Sequence, residues 1–245
     1  MSDRKKPISK RQEIKESRRK RDQRQRVITL AVIGVVVVVL AGLIAAPSIR
    51  AAMTPVGTII QITPVAYPNA KGTSMGDPNA KVKIDVYEDF RCSACLSFTE
   101  SVEPELVTNY IETNKAYFTY HFFIVIDSND GSNASHQAAN ASLCAAAQNR
   151  FWDYHDILYA NQTTEDASLF SDARLVAMAK NLNLDMTSFN QCFQRNQYTA
   201  QIQTDMAQGQ SLNVTGTPTI FINGQIVQSD YNSISAAIDA ALAGK

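Results

Sequence analysis

Histidine is scarce in these 245 residues: there are three, His121, His136 and His155, with no ligand spacing between them. Only one C-x-x-C occurs, Cys92-Ser93-Ala94-Cys95, and no second C-x-x-C or Cys/His pair follows to complete the four donors of a structural zinc site. The three histidines therefore read as structural. No acyl-transfer motif, no Gly-rich phosphate-binding loop and no internal repeat is present, which sets aside acyl hydrolysis, P-loop nucleotide binding and repeat arrays. Cysteine is also sparse. All four, Cys92, Cys95, Cys144 and Cys192, lie beyond residue 91. An even number confined to one side of a hydrophobic segment suggests an oxidising compartment on that side.

The zero net charge hides a separation. Residues 1–26 hold 12 Lys and Arg against 4 Asp and Glu, and the remainder carries a compensating acidic excess. Between the two lies Val27–Ala46, 20 residues without a charge, the length a helix needs to cross a hydrocarbon core. The basic run Arg18–Arg26 abuts its N-terminal end, whereas only Arg50 sits near the other end. The positive-inside rule then places 1–26 as a basic cytoplasmic tail, 27–46 as an uncleaved transmembrane anchor and everything after Pro47 outside. A cleaved signal peptide is the rival reading, but the apolar core is too long and Ile44-Ala45-Ala46 is a poor cleavage site. Nucleic-acid binding by the tail is not required, since a topology signal and attraction to anionic lipid account for the charge.

Residues 47–75, rich in Pro, Gly, Thr and Asn, read as a stalk, with Thr58–Ile62 as a short edge strand. Gly76-Asp77-Pro78-Asn79 is turn chemistry. Val82, Ile84 and Val86 then alternate with Lys83, Asp85 and Tyr87, the period of a strand, and a helix-like run through Leu96, Val102, Leu106 and Ile111 follows the cysteines. A second strand is expected at Tyr117–Ile126, apolar enough to be central and covered on both faces. From about 131 to 195 the pattern is helical: a small-residue face at Ala134, Ala138, Ala141 and Ala145, then Phe151, Tyr154, His155 and Leu158 with Trp152 as core. Caps are expected at Ser171/Asp172 and Asp185, and a further helix spans about 196–211. Thr219–Ile222 and Gln225–Gln228, joined by Asn223-Gly224, form a hairpin signal, and Ile234, Ile238 and Leu242 mark a last helix.

A C-x-x-C between a strand and a helix has a redox mechanism. The first sulfur sits at the helix N-terminus, where unpaired N–H groups and the macrodipole favour a thiolate. The second lies one turn on, close enough to close a disulfide or resolve a mixed one.

Three separated stretches, GDPNAKVKIDVYEDFRCSAC, CAAAQNRFWDYHDILYANQ and VTGTPTIFINGQ, resemble membrane-anchored DsbA-like thiol–disulfide oxidoreductases in the same order, over roughly residues 70–245. The resemblance implies an α/β thioredoxin-like fold over 76–245 with an inserted helical subdomain, preceded by the single transmembrane helix. It implies that Cys92 is the nucleophile and Cys95 its resolving partner, with no cofactor beyond the redox-active disulfide. It implies that Pro218 is cis and that Thr217 and Pro218 form the substrate groove. It also implies a structural disulfide between Cys144 and Cys192, although the residues alone leave two buried thiols open. Two departures stand out. Many relatives carry a buried Glu six residues before the first cysteine, where this chain has Val86; Asp85 or Glu88 could substitute for it, but a solvated strand-end charge is the favoured reading of each. The dipeptide Ser93-Ala94 lacks a histidine, which implies a weaker depression of the Cys92 pKa.

The expected activity is introduction of disulfides into unfolded or reduced secreted proteins, with reoxidation by a membrane partner and no role for nucleic acid. A reductase or isomerase on the same scaffold, or a non-catalytic peptide-binding module, are the alternatives.

Overall fold

The computed structural model describes residues 19, 23–37, 39 and 56–244. The chain divides into two units, Met1–Thr54 and Pro55–Lys245. In the first, residues 23–37 are helical (α1), and the large apolar side chains from Val27 to Val37 are half-exposed or more. Among the described residues no helix is long and apolar enough to cross a membrane. Much of the expected span, 38 and 40–46, lies outside them, as does most of the basic tail.

The second unit is a five-stranded sheet with helices around it. The strands are β1 (Ser74–Gly76), β2 (Val82–Glu88), β3 (Ala116–Phe122), β4 (Thr219–Ile222) and β5 (Gln225–Val227), in the order β1-β3-β2-β4-β5. β2 and β3 are parallel and the other pairs antiparallel. The parallel pair needs a crossover, which α2 (Ser93–Ser101), α3 (Glu103–Leu106) and a π-helical turn (Val107–Ile111) provide. The sequence reads as one continuous helix here. The structure breaks it at Val102, because Pro104, in the first turn of α3, has no N–H to continue the ladder.

β3 also departs from expectation. It ends at Phe122 rather than Ile126, and its burial alternates instead of being complete. The amides of Val125 and Ile126 are taken by the Asp89 carboxylate at 3.0 Å each, so they are lost to the sheet, and α4 (Ile126–Asp130) begins there. Residues 58–62 form no strand. The carbonyls of Val56 and Thr58 accept from Arg174, and Ile60 exchanges two hydrogen bonds with the Asn161 side chain, so side chains satisfy this backbone. The edge strand on the β3 side of the sheet is β1.

The helical subdomain comprises α5 (Ala134–Ala146), α6 (Phe151–Ala160), a 3-10 turn (Ala167–Phe170), α7 (Asp172–Asn181) and α8 (Met186–Gln194). Asp185 caps α8 by accepting from the amides of Thr187 and Ser188. Cys144 of α5 and Cys192 of α8 are joined as a disulfide, with Cα atoms 5.8 Å apart. α9 (Thr199–Ser211) returns the chain to the hairpin β4–β5, and α10 (Tyr231–Leu242), capped by Asp230, closes the fold. Its turn is Asn223-Gly224, both at positive φ, as a two-residue hairpin requires. The core under the sheet is aromatic: Phe90, Tyr120, Phe122, Phe151 and Trp152 are all nearly or wholly buried.

Candidate active site

Cys92 is the N-cap residue of α2, placed there because β2 ends at Glu88 and a tight loop follows. Its amide donates to the Asp89 carbonyl at 2.9 Å. Cys92 is 7% exposed and Cys95 fully buried, and both are thiols in this structure. The Cys92 Sγ lies 3.3 Å from the Thr217 carbonyl, on the residue that precedes the cis-proline Pro218. The Thr217 Oγ1 is buried without a partner, so the hydroxyl is free to donate to a thiolate. The Cys92 pKa falls to about 6. Hydrogen bonding from Cys95 is the main cause, burial opposes it, and Thr217 with the amides of Cys95 and Ala94 reinforces it. The depression is reached without a histidine in the dipeptide. Cys95 goes the other way: burial, the bond it gives Cys92 and the nearby Glu88 push its thiol well up. The two sulfurs therefore have different protonation states at neutral pH, the division of labour that thiol–disulfide exchange needs.

Beneath them lies a carboxyl that the strand-end reading misplaces. Glu88 is fully buried, not solvated. Tyr159 OH donates to its Oε2 at 2.9 Å, and it is in hydrogen-bonding reach of Cys95. Burial raises its pKa to about 8; the Tyr159 bond opposes this, the Cys92 charge adds to it and the Cys95 bond opposes it. Glu88 is thus protonated at neutral pH and placed to exchange a proton with Cys95. The signal was present in the sequence, since 88 shares the parity of the buried residues 82, 84 and 86. Val86, at the position where relatives carry the acid, is simply core. Asp85 does point to the other face, where it lies 3.0 Å from His121.

Two further residues were not anticipated. Asp89 Oδ1 accepts from the Arg91 amide while Oδ2 holds Val125 and Ile126, pinning the loop that presents Cys92. Arg91, 1% exposed, binds Asp127 at 3.0 Å, Asp130, the Ser132 hydroxyl and the Glu165 carbonyl. Against the effect of burial, His136 and the amides of Ser135 and His136 hold the Asp127 carboxyl below the usual range. An arginine whose donors are all consumed inside the protein is a strut for the cysteine loop, not a substrate contact. Only the run Glu88-Asp89-Phe90-Arg91 hinted at this, as charge adjacent to the motif.

Pro218 also borders a groove of about 590 Å³, with Thr219, Ile226, Val227, Gln228, Ser229 and Ser233 as its other walls. The histidines are distributed as structural residues would be: His121 between Asp85 and Asp205, His136 on Asp127, His155 buried beside Asp156 and Glu103. Among the described residues no cluster of three His, Cys, Asp or Glu is placed to hold a metal ion. The structural disulfide Cys144–Cys192 stands apart from the Cys92/Cys95 pair, in the helical subdomain.

The family model described as Thioredoxin matches residues 69–240. The chain belongs to the thioredoxin family. It is 28% identical over 173 residues to the probable disulfide bond formation protein D of Bacillus anthracis, a match covering 69% of this chain and 77% of that protein. It is 25% identical over 182 residues to disulfide bond formation protein D of Bacillus subtilis, covering 73% and 81% respectively. Oxidised BdbD from Bacillus subtilis shares the fold with a TM-score of 0.64 at 21% identity, over 76% of this chain and 100% of that one. Chlamydia trachomatis DsbA does so with a TM-score of 0.61 at 22% identity, over 78% and 99%. This thioredoxin-family chain is a DsbA-like thiol–disulfide oxidoreductase whose redox group is a cysteine pair.

Proposed function

We propose that the protein is a membrane-tethered, extracytoplasmic oxidase that introduces disulfides into secreted or surface proteins through Cys92 and Cys95. The observation that carries this is the asymmetry of the pair: a Cys92 thiol brought to about 6 beside the Thr217 backbone, and a buried Cys95 above a protonated Glu88. A substrate thiolate attacks Cys92 Sγ, the Cys92–Cys95 bond breaks, and Cys95 leaves as a thiolate that takes the Glu88 proton. The second substrate thiol resolves the mixed disulfide and releases Cys92 as its stable thiolate. Thr217 and Pro218 are the residues that align the extended substrate chain against this sulfur. A membrane partner then reoxidises the pair and Glu88 recovers its proton.

The tethering rests on the charge-free stretch 27–46, the basic residues before it and the exposed apolar side chains along α1. The domain assignment that goes with it is a cytoplasmic tail 1–26, an anchor 27–46, a stalk 47–75 and a catalytic domain 76–245.

The test is the reduction potential of the Cys92/Cys95 pair in the full-length chain, equilibrated against glutathione buffers while Cys144 and Cys192 are monitored separately. A value near roughly −120 to −180 mV is the expected outcome; one near about −270 mV marks a reductase instead. Cys92→Ser abolishes oxidation of a dithiol substrate, and normal turnover by that variant would overturn the assignment of the nucleophile.

A further inference from the structure

Glu103, the first residue of α3, has no part in the exchange chemistry above, yet it is 2% exposed. Its Oε2 has no hydrogen-bond partner, and neither do His155 Nε2, Tyr120 OH or Glu88 Oε1, all of them buried. Buried polar atoms are paired with few exceptions, so four orphans of complementary chemistry around one core point to shared protons and internal water. They are linked in space. Tyr159, which donates to Glu88, packs its ring 4.9 Å from that of His155, and the Tyr120 ring lies 5.7 Å from the same imidazole. His155 Nε2 is 3.8 Å from Glu103 Oε2. On its other side, His155 Nδ1 lies 2.9 Å from the Asp156 carboxylate, which also accepts from Tyr67 OH at 3.1 Å and is partly exposed.

A carboxylate only accepts, so in this reduced chain Nδ1 donates to Asp156 and the bare Nε2 faces Glu103; the other tautomer, with its proton on Nε2, is the form that can donate to Glu103. Burial first, then the charges of Glu88 and Asp156, push the Glu103 carboxyl well above its usual range. The titratable groups around this pair are Glu88 from β2, Tyr120 from β3, Asp156 and Tyr159 from α6, and Tyr67 from the segment before β1, on which Asp153 also acts.

We propose that Glu103 and His155 form an internal proton path from Glu88 to the surface at Asp156 and Tyr67, which reloads Glu88 while a bound substrate covers the groove at Cys92 and Thr217. The path rests on the exchange reaction proposed above. In that reaction a new S–S bond forms between substrate and Cys92, and the electron pair of the broken Cys92–Cys95 bond leaves on Cys95. Cys95 takes the Glu88 proton, Glu88 takes that of Glu103, and Glu103 takes the Nε2 proton of His155 while Nδ1 gains one from water at the Asp156 side, which leaves the ring in the Nδ1–H form of the reduced chain. Two electrons from the substrate dithiol end on the cysteine pair, and the proton on Cys95 has entered from the α6 face. Reoxidation runs the same transfers backwards. Glu103 and His155 are positioning residues in this scheme, since neither touches a reacting sulfur.

The test compares two reductants of the oxidised full-length chain in stopped flow: dithiothreitol, which leaves the groove open, and an unstructured peptide with two cysteines, which fills it. Glu103→Gln and His155→Gln are each expected to slow the peptide reaction roughly tenfold more than the dithiothreitol reaction. Equal slowing with both reagents, or none with either, overturns the path. A second readout needs no variant, because Trp152, the one tryptophan, has its ring 5.1 Å from His155. Its fluorescence-versus-pH curve is expected to differ between the oxidised and reduced chains, and superimposable curves would also overturn the path. Failure of the exchange reaction itself is distinguishable, since then neither reagent would be oxidised at Cys92 by the unmodified chain.

Discussion

Glu88 and Cys92 are acids four residues apart in the chain, and their pKa values move in opposite directions because their surroundings stabilise opposite forms. Burial favours the neutral Glu88 carboxyl, whereas hydrogen bonds from Cys95, Thr217 and two amides outweigh burial at Cys92. The folded-state pKa of Glu88, about 8, lies above its unfolded value of 4.5, so the folded chain holds the proton longer. Its contribution to stability is complete below about 4.5 and is lost as pH rises through about 8. The full difference is at most roughly 5 kcal/mol for a group with no solvent around it. Urea unfolding of the reduced chain should therefore show stability falling between about pH 5 and 8, with a flatter profile in Glu88→Gln. An identical slope in that variant would mean that another group carries the effect. For Cys92 the sign is reversed: its pKa is depressed from 9.0 to about 6, which stabilises the reduced form above pH 6. At pH 7 that gain is about one pKa unit, ~1.4 kcal/mol or ~30 mV in a two-electron couple. This is about a fifth of the gap between roughly −270 and −120 mV, so the measured potential reports the whole site and not this thiolate alone.

Among elements, the cross-links decide what holds the helical subdomain together. The Cys144–Cys192 bond closes a separation of 48 residues between α5 and α8. The entropy model assigns such a loop on the order of 4 kcal/mol, and native cross-links commonly contribute about 2–5. The double variant Cys144→Ala/Cys192→Ala should lose about that much stability in chemical denaturation while still oxidising a dithiol, because the redox pair is elsewhere. Loss of exchange at full stability would refute the division into structural and redox cysteines. His121 plays the equivalent role electrostatically. Against burial, Asp205 of α9 and Asp85 of β2 raise its pKa to about 9, so it is an imidazolium tying β2, β3 and α9 together at neutral pH. That contribution is present below the ordinary histidine value of 6.5 and is lost as pH rises through about 9. Asp205→Asn should therefore destabilise the chain at pH 6 by more than at pH 10, measured by thermal unfolding. The helices and the hairpin were legible from periodicity, caps and the Asn-Gly turn. The end of β3 was not, because it is set by Asp89, a residue more than 30 positions away in the chain.

For the whole molecule, the basic tail, the charge-free stretch and the acidic domain form one vector across a membrane in the proposed reading. Full-length protein should remain in the membrane fraction after alkaline extraction, and removal of residues 1–46 should release a soluble oxidoreductase. Partition of the full-length chain into the supernatant would count against an anchor. The sequence by itself determined the redox motif, the strand that precedes it, the hairpin and the charge division, since each depends on residues close together in the chain and on short-range rules of periodicity and turn chemistry. Only the tertiary structure decided which charges are buried. Glu88, Arg91 and Glu103 look like ordinary surface residues one at a time, yet the packing of α6 and the 162–166 loop against the cysteine loop seals them in. Burial depends on what lies opposite, and for all three that comes from more than 30 residues away. The same packing pushes two ordinary carboxyls, Glu88 and Glu103, up from their usual range by taking water away from both.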